Sequence, residues 1–418
     1  MDESGLFTAA LGLTPPWRVS RVEFDLEQTR LDLYLDFPRG ARFACPAKGC
    51  GRRECPVHDT AAKTWRHMDF FQHKAFLHAR LPRVRCPVHG VRQVGAPWAR
   101  EGSGFTLLFE ALLLQFAAAM PVRKVAEMTR EQDTRIWRVL HHHVDAARAC
   151  ADYSRVDRVG MDETAAARGQ DYVSIFADMT CAKVLYATEG RDGDTVARFA
   201  ADLRDHGGYP EAVCDTSSDM SAAYIAGIGE HLPNAAMTFD RFHVAAKLSE
   251  AVDAVRRDEV ASRPELKRTR WLWLKNHSNL TDTQQAELYR LTRPSARLAT
   301  ARALRWREDF QAFYDQPDDY ADEYLRRWCY GAKRSRLQPI KDFVATVERH
   351  WDGIVAWHAS RLNNGLLEGI NSLVQAAKAR ARGYRSKRNM ITMIYLIAGD
   401  FTLPTVANPA LAYPSAAA

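Results

Sequence analysis

Two adjacent acids, Asp162 and Glu163, close the apolar stretch VGMDE in a chain of 418 residues. One acid at a strand end is an ordinary turn residue. Two in a row, in a chain of net charge +7, point to a metal ion or a proton to be handled. Other acids stand at comparable places: Asp219 follows the strand-like run EAVCDTSS, and Glu368 sits in LLEGINS. Three carboxylates brought together repel one another unless cations neutralise them. Oxygen ligands with open water positions suit Mg2+ or Mn2+. Two such ions roughly 3.5–4 Å apart activate a nucleophile and stabilise a leaving oxygen in phosphodiester chemistry. Asp215 and Asp240 are rivals for the second acid, the first inside a strand and the second on the next strand out. His243 follows Asp240 and reads either as a packed, hydrogen-bonded histidine or as a group near a scissile phosphate.

A second chemistry lies near the N-terminus. CPAKGC (45–50) is followed by CPVH (55–58) and RCPVHG (85–90). Cys45, Cys50, Cys86 and His89 form two short-spaced pairs separated by a strand pair, which is how a zinc ribbon is built. Zinc ties the two turns together because so small a sheet has little core of its own. Cys55 and His58 form a rival pair, and reduced thiols without metal are the plainer alternative. Of eight cysteines, three fall in the first 55 residues and a fourth at 86, which favours metal ligation over a disulfide framework.

The elements that must position these residues follow from periodicity. Residues 19–37 alternate as a β-hairpin with one buried face, carrying Val22, Phe24 and Leu26 on one parity and Leu31, Leu33 and Leu35 on another. Residues 105–145 are helical. A short helix VRKVAEMT, a break at REQ and a second helix DTRIWRVLHHHV read as a helix-turn-helix. Asp133 or Thr134 is the expected cap, and Arg135 and Arg138 are the expected DNA contacts. The histidines 141–143 read as surface or partner-facing. From residue 156 the order is β-β-β-α-β-α-β-α, the ribonuclease H-like order, with the first strand central and the fourth beside it in parallel. Asp162 and Asp219 then end neighbouring strands, a late helix delivers Glu368, and Glu163 faces elsewhere or supports the metal ligands from behind. Residues 245–360 are helical almost throughout and carry Trp271, Trp273, Trp306, Trp328, Trp351 and Trp357. These pack a helical core, or one or two stack on unpaired bases. Asn363 or Asn364 caps the helix bearing Glu368.

Composition limits the partners. Hydrophobic content of 46% and charged content of 26% are those of a soluble globular protein. The longest apolar run, 107–120, is broken by Glu110 and Gln115 and is shorter than the ~20 residues of a membrane span. The N-terminus lacks the basic and apolar regions of a secretory signal, so a cytoplasmic protein with no membrane partner is expected. The positive charge suits a polyanion. It concentrates in ELKRTR (265–270) and ARARGYRSKR (379–388), which read as solvated faces or as DNA contacts, Arg380, Arg382 and Arg385 among them.

With these residues in place, the chain resembles the DDE transposases of bacterial insertion sequences, specifically the ISL-three family. The matching stretches are CPAKGC…RCPVHG, GMDE, DMSAAY, PNAAMTFDRFHV and NNGLLEGINSLVQAAKARARGYR, spread from about residue 15 to 400. The resemblance implies Asp162, Asp219 and Glu368 as the catalytic triad, and a DNA transposase that cleaves its element ends and joins them to target DNA. It also implies a zinc module, a DNA-binding helical module and a helical insertion before the Glu. The first cysteine pair here is separated by four residues rather than two, which leaves the zinc ligand set open. The expected architecture is a multidomain α+β chain. It has a zinc-ribbon-like β module (1–100), a helix-turn-helix (101–150) and a ribonuclease H-like core (151–245 and 361–403). An all-α insertion (246–360) interrupts that core, and a tail (404–418) follows. Binding of terminal inverted repeats, a homodimer during synapsis, and a place at the bacterial nucleoid follow as expectations. A catalytically inactive DNA-binding descendant and a structure-selective nuclease are the alternatives.

Overall fold

The computed structural model describes residues 2–167, 171–362, 364–411 and 413. They form two compact units, Met1–Cys150 with Ala379–Arg382 and Phe401–Ala418, and Ala151–Lys378 with Gly383–Asp400.

The first unit opens with α1 (Glu3–Ala10), whose first turn is capped by the Asp2 carboxylate. Strands β1 (Arg18–Asp25), β2 (Arg30–Asp36), β3 (Arg42–Phe43), β4 (Cys55–Arg66), β5 (Lys74–Cys86) and β6 (Gly90–Gln93) follow. They form one sheet in the order β1-β2-β5-β4-β3, with β6 beside β5. β1 and β2 are the expected hairpin. Its buried face belongs to β2: Leu31, Leu33 and Leu35 pack with Trp17, Trp65, Leu77 and Trp98. Phe24 and Leu26 are exposed, because β1 is an edge strand and Leu26 lies in the turn beyond it.

Helices α2 (Leu107–Ala119), α3 (Val122–Thr129) and α4 (Asp133–Ala149) complete the unit. α3 stops at Arg130, which adopts a left-handed φ of 55°. The residue preceding α4 is Gln132, so Asp133 and Thr134 are helical rather than capping. Val125, Ile136 and Leu140 seal the helix pair. The histidine run is not wholly on the surface. His143 is buried and its Nε2 lies 2.8 Å from the buried Glu110 carboxylate, which also takes Arg100 and Ser103. Three consecutive residues sweep about 200° of a helix, so one of them meets the core. Arg66 of β4 is also buried and forms ion pairs with Asp69 and with Glu131 of the turn before α4, which ties the sheet to the helices.

In the second unit β7 (Arg158–Ala165), β8 (Tyr172–Asp178) and β9 (Lys183–Glu189) form an antiparallel meander. Then come α5 (Gly193–Asp205), β10 (Asp215–Ser218), α6 (Ala222–His231), β11 (Ala236–Phe239) and α7 (Arg241–Glu259). The sheet order is β11-β10-β7-β8-β9, with β10 parallel to both β7 and β11. This is the ribonuclease H-like order, with the first strand at the centre. A helical segment follows: α8 (Arg270–Leu274), α9 (Asp282–Thr292), α10 (Ala299–Gln311), α11 (Asp318–Ala332), α12 (Gln338–Arg349), α13 (Trp351–Val355) and α14 (Trp357–Ser360). Trp273, Trp328 and Trp357 are buried in its core, and Trp306 and Trp351 pack against it. Trp271 is the exception, 59% exposed. The chain returns to the sheet with α15 (Gly365–Ala381) and α16 (Lys387–Ala398). Asn363, one of the two expected caps, lies outside the described residues. Asn364 is buried, and its Oδ1 accepts from Ser217 Oγ of β10 at 2.6 Å.

Candidate active site

The parallel pairing of β10 with β7 decides which acids share an edge. Ser217 is the partner of Gly160, so the same register carried two residues on sets Asp219 opposite Asp162. Asp219 immediately follows β10, half-buried, with its Oδ1 accepting from Ser221 N–H at 2.9 Å. Asp215 opens β10 at the far end and pairs with Arg158 at 3.0 Å. Asp240 is not on the fifth strand but follows it, where its carboxylate caps α7 by accepting from Phe242 N–H. Asp162 is not the last residue of its strand either: β8 continues to pair with β7 as far as Ala165. Strand alternation turns Glu163 to the other face of β7 from Asp162, yet after burial the charge of Asp219 does most to raise its carboxyl.

Helix α15 lies against this strand. Leu367 packs over Gly160, where an added Cβ would press on Met179 Sδ and stand 2.8 Å from the leucine Cδ1, so a larger residue would make both side chains give way. Asn371 Nδ2 donates to Asp162 Oδ2 at 2.6 Å. Gln375 Nε2 donates to Thr164 Oγ1, and Lys378 Nζ to the Ala165 carbonyl, each at 2.6 Å. These three polar residues, at helical spacing, escaped the sequence reading. The run N-x-x-x-Q-x-x-K after Glu368 was the available signal. Glu368 is exposed, one turn ahead of Asn371 on the flank of the same face.

The electrostatics match an acid cluster. Burial pushes the Asp162 carboxyl above the usual carboxylate range, and the charges of Asp240 and Asp219 push the same way against His243. Burial likewise raises Asp240 and Glu163. The Asn371 Oδ1 is buried without a hydrogen-bond partner. A raised Asp162 carboxyl beside other acids and an orphaned amide acceptor fit hydrated divalent cations. Among the described residues the Asp162, Asp219 and Glu368 oxygens are not all within 4.8 Å of one another. A pair of ions about 3.5–4 Å apart spans a wider ligand set than one ion does.

The cysteine cluster is tighter. Ligand atoms of Cys45, Cys50, Cys86 and His89 all lie within 4.8 Å of one another. Cys50 Sγ is 3.8 Å from Cys86 Sγ, and His89 Nδ1 is 3.7 Å from Cys86 Sγ and 3.8 Å from Cys45 Sγ. Tetrahedral zinc with Zn–S bonds near 2.3 Å has ligand edges of about 3.8 Å, so this set fits the metal. Gly49, at φ 75°, turns the first knuckle. Burial pushes the Cys86 thiol up, but backbone N–H groups of His89 and Val88, together with the His89 ring and the Cys45 thiol, draw it down to about 6. Cys55 is buried outside this set, and the exposed His58 lies 3.2 Å from Arg85.

Known proteins match the chain throughout. Residues 159–394 match a transposase family. The chain belongs to the ISL3 family of transposases. Residues 96–144 match the helix-turn-helix domain of transposase family ISL3, and residues 41–89 match the zinc-finger of transposase IS204/IS1001/IS1096/IS1165. The transposase for insertion sequence element IS1557 of Mycobacterium tuberculosis is 28% identical over 431 residues, covering 94% of each chain. The transposase for insertion sequence element IS1001 of Bordetella parapertussis is 29% identical, over 90% of this chain and 94% of its own.

The helix-turn-helix of this transposase treats its two expected DNA contacts differently. Arg135 is half-buried, ion-paired with Glu131, and its guanidinium lies 4.1 Å from the Phe105 ring centroid. Arg138 is exposed. Arg138→Ala is therefore expected to cost about 1–3 kcal/mol in end binding if it reads a base. Arg135→Ala is expected to lower the melting temperature first. Anisotropy titrations on end and random duplexes, beside a thermal melt of each variant, separate the two effects. Arg380, Arg382 and Arg385 are all exposed, and Arg380 also donates to the Ala119 carbonyl at 3.1 Å. Among the described residues no helix is long and apolar enough to cross a membrane.

Proposed function

We propose that this transposase binds the terminal inverted repeats of its insertion sequence, cleaves DNA strands at the element ends, and joins the freed 3′-hydroxyl to target DNA. Asp162, Asp219 and Glu368 are the proposed ligands for Mg2+ or Mn2+. The supporting observation is the meeting of three elements: β10 parallel to β7, with Asp219 and Asp162 each two residues beyond the Ser217–Gly160 pair, and α15, which carries Glu368, bonded to Asp162 through Asn371. Bound divalent ions would lower the pKa of attacking water or hydroxyl and neutralise charge on the leaving oxygen. The chain's own groups set the geometry. Ser221 N–H fixes one oxygen of Asp219, and Glu163 N–H and Asn371 Nδ2 fix the two oxygens of Asp162. In cleavage, water adds to the scissile phosphorus and the 3′-oxygen leaves. In joining, that 3′-oxygen attacks a target phosphorus and a target 3′-oxygen leaves.

Zinc held by Cys45, Cys50, Cys86 and His89 is proposed as structural support for the recognition unit, with Arg138, Arg380, Arg382 and Arg385 on DNA. Synapsis of two ends calls for a homodimer, and the bacterial cytoplasm, at the nucleoid, is where such DNA is met. The reading is tested by incubating the purified protein and Mg2+ with a labelled duplex carrying its own element end and a supercoiled target. Cleavage at the end and label joined to the target are expected. Binding without either product would leave only a DNA-binding protein.

Asn371 gives a graded test of the same centre. A residue that holds a metal ligand by hydrogen bonding is worth about 10–100-fold in metal affinity or activity. Asn371→Ala is expected to shift the Mg2+ requirement for cleavage upward by that order, with excess Mg2+ restoring much of the rate. An unchanged Mg2+ titration would remove Asn371 from this role.

A further inference from the structure

A groove runs along one face of α7, starting at the residue after Asp240. Its first stretch, about 370 Å³, is lined by Arg241, Phe242, Asn276, Arg307, Gln311 and Tyr314. Its second stretch, about 510 Å³, is lined by Arg257 and Arg270 among others. Ala246 and Ser249 line both stretches, so the two adjoin along α7 over small side chains.

Three features point to a ligand. Phe242 is 43% exposed at the mouth, with the Arg241 guanidinium 5.3 Å from its ring centroid. Tyr314 Oη and Arg307 Nε, on side chains more than nine-tenths buried, have no hydrogen-bond partner. An unsatisfied buried hydroxyl and guanidinium N–H in a cleft call for a polar group from outside the chain. The cationic surplus is also real. Five arginines against three acids, Glu250, Asp253 and Asp315, line the two stretches, and Asp253 is neutralised by Arg256 at 2.7 Å, Arg257 at 3.5 Å and Arg270 at 3.6 Å. The Arg270 guanidinium lies 5.2 Å from the ring of the exposed Trp271.

Arginines would suffice for phosphates. An exposed phenyl ring beside amides and a buried phenol adds what a base requires: a stacking face and edge donors and acceptors. A base offers its face only after leaving the helical stack, and a channel of this size cannot admit a duplex.

We propose that the α7 groove holds unpaired nucleotides of the strand adjoining the scissile phosphate, with a base against Phe242 and Tyr314 and phosphates along Arg241, Arg257 and Arg270. Melting of the DNA next to the cut is then part of substrate engagement, and the helical segment supplies the seat. This rests on the transposition chemistry proposed above.

The test uses the full-length protein and end duplexes with 5-iodouracil at single positions on either side of the cleaved bond, irradiated without divalent metal. Crosslinks from the nucleotides next to the bond are expected on the Phe242 and Tyr314 peptides. Phe242→Ala removes an exposed ring and is expected to fold as the wild type does. It should cut a fully paired end about tenfold more slowly, the scale of one lost base–aromatic stack. Mismatching the pairs beside the bond should restore its rate. Crosslinks confined to other surfaces, or a Phe242→Ala protein that cuts paired ends like the wild type or gains nothing from mismatches, would overturn the groove assignment. A wild-type protein that cuts no end at all refutes the underlying chemistry instead, so the two failures are distinguishable.

Discussion

Alanine at Asp162, Asp219 or Glu368 is expected to lower Mg2+-dependent cleavage of element ends on the order of a thousandfold or more, the scale of losing one fixed charge-stabilising group in such chemistry. End binding is expected to persist, because the helix-turn-helix belongs to the other compact unit. The matched controls are Asp215→Ala and Glu163→Ala. Asp215 is occupied by Arg158 at the opposite end of β10, and Glu163 lies on the opposite face of β7, so both variants are expected to keep cutting. Strand nicking and binding on one labelled end duplex measure all five. A cutting Asp219→Ala protein beside an inert, binding Asp215→Ala protein would refute the register argument.

The same acids carry a stability signature. Asp162 is raised in the folded protein by burial and by its acidic neighbours. Below the ordinary aspartate value it is neutral folded or unfolded and contributes nothing. As pH rises through its folded value the charged form is disfavoured in the folded state, so metal-free stability falls. Asp162→Asn is expected to melt higher than wild type in chelator at neutral pH, and the gap is expected to close in acid. A gap that widens in acid would contradict the sign. Added Mg2+ should stabilise wild type more than the variant.

Loss of zinc is the second large effect. Structural zinc sites contribute apparent binding free energies of about 10–16 kcal/mol, which is folding free energy when the site does not pre-exist in the unfolded chain. The cluster ties the turn before β4 to the end of β5, and the sheet core it closes also packs Trp17, Trp65 and Trp98. Chelation or Cys86→Ser is therefore expected to release about one zinc per chain, expose residues 41–89 to proteolysis and abolish end binding. Cys55→Ser, outside the ligand set, is expected to retain the metal. Elemental analysis with limited proteolysis checks this, and a protease-resistant, metal-free protein would count decisively against it. Arg66 carries the consequence further, since its ion pairs with Asp69 and Glu131 connect that sheet to the turn before α4.

What the sequence determined by itself is what local pattern encodes. The alternation of short apolar runs dictates strands, and the change to helical periodicity dictates the crossovers. Together they yield the β-β-β-α-β-α-β-α order, which places the fourth strand beside the first. The two short-spaced Cys/His pairs, on turns at either end of a strand pair, were legible for the same reason. Tertiary structure decided what depends on register and on which side of an element meets the core. Asp215, Asp219 and Asp240 are alike as residues, and only the Ser217–Gly160 pairing shows that Asp219 and Asp162 follow the same end of the ladder by two residues each. Arg135 and Arg138 are three residues apart on one helix, yet Glu131 and Phe105 draw the first into the fold. His143 is buried because Glu110 waits for it on another helix. Asn371 reaches Asp162 across 209 residues of chain, and no periodicity announces a contact of that range. Such contacts are energetically real but non-local: they exist only once the sheet is assembled and α15 has closed on Gly160.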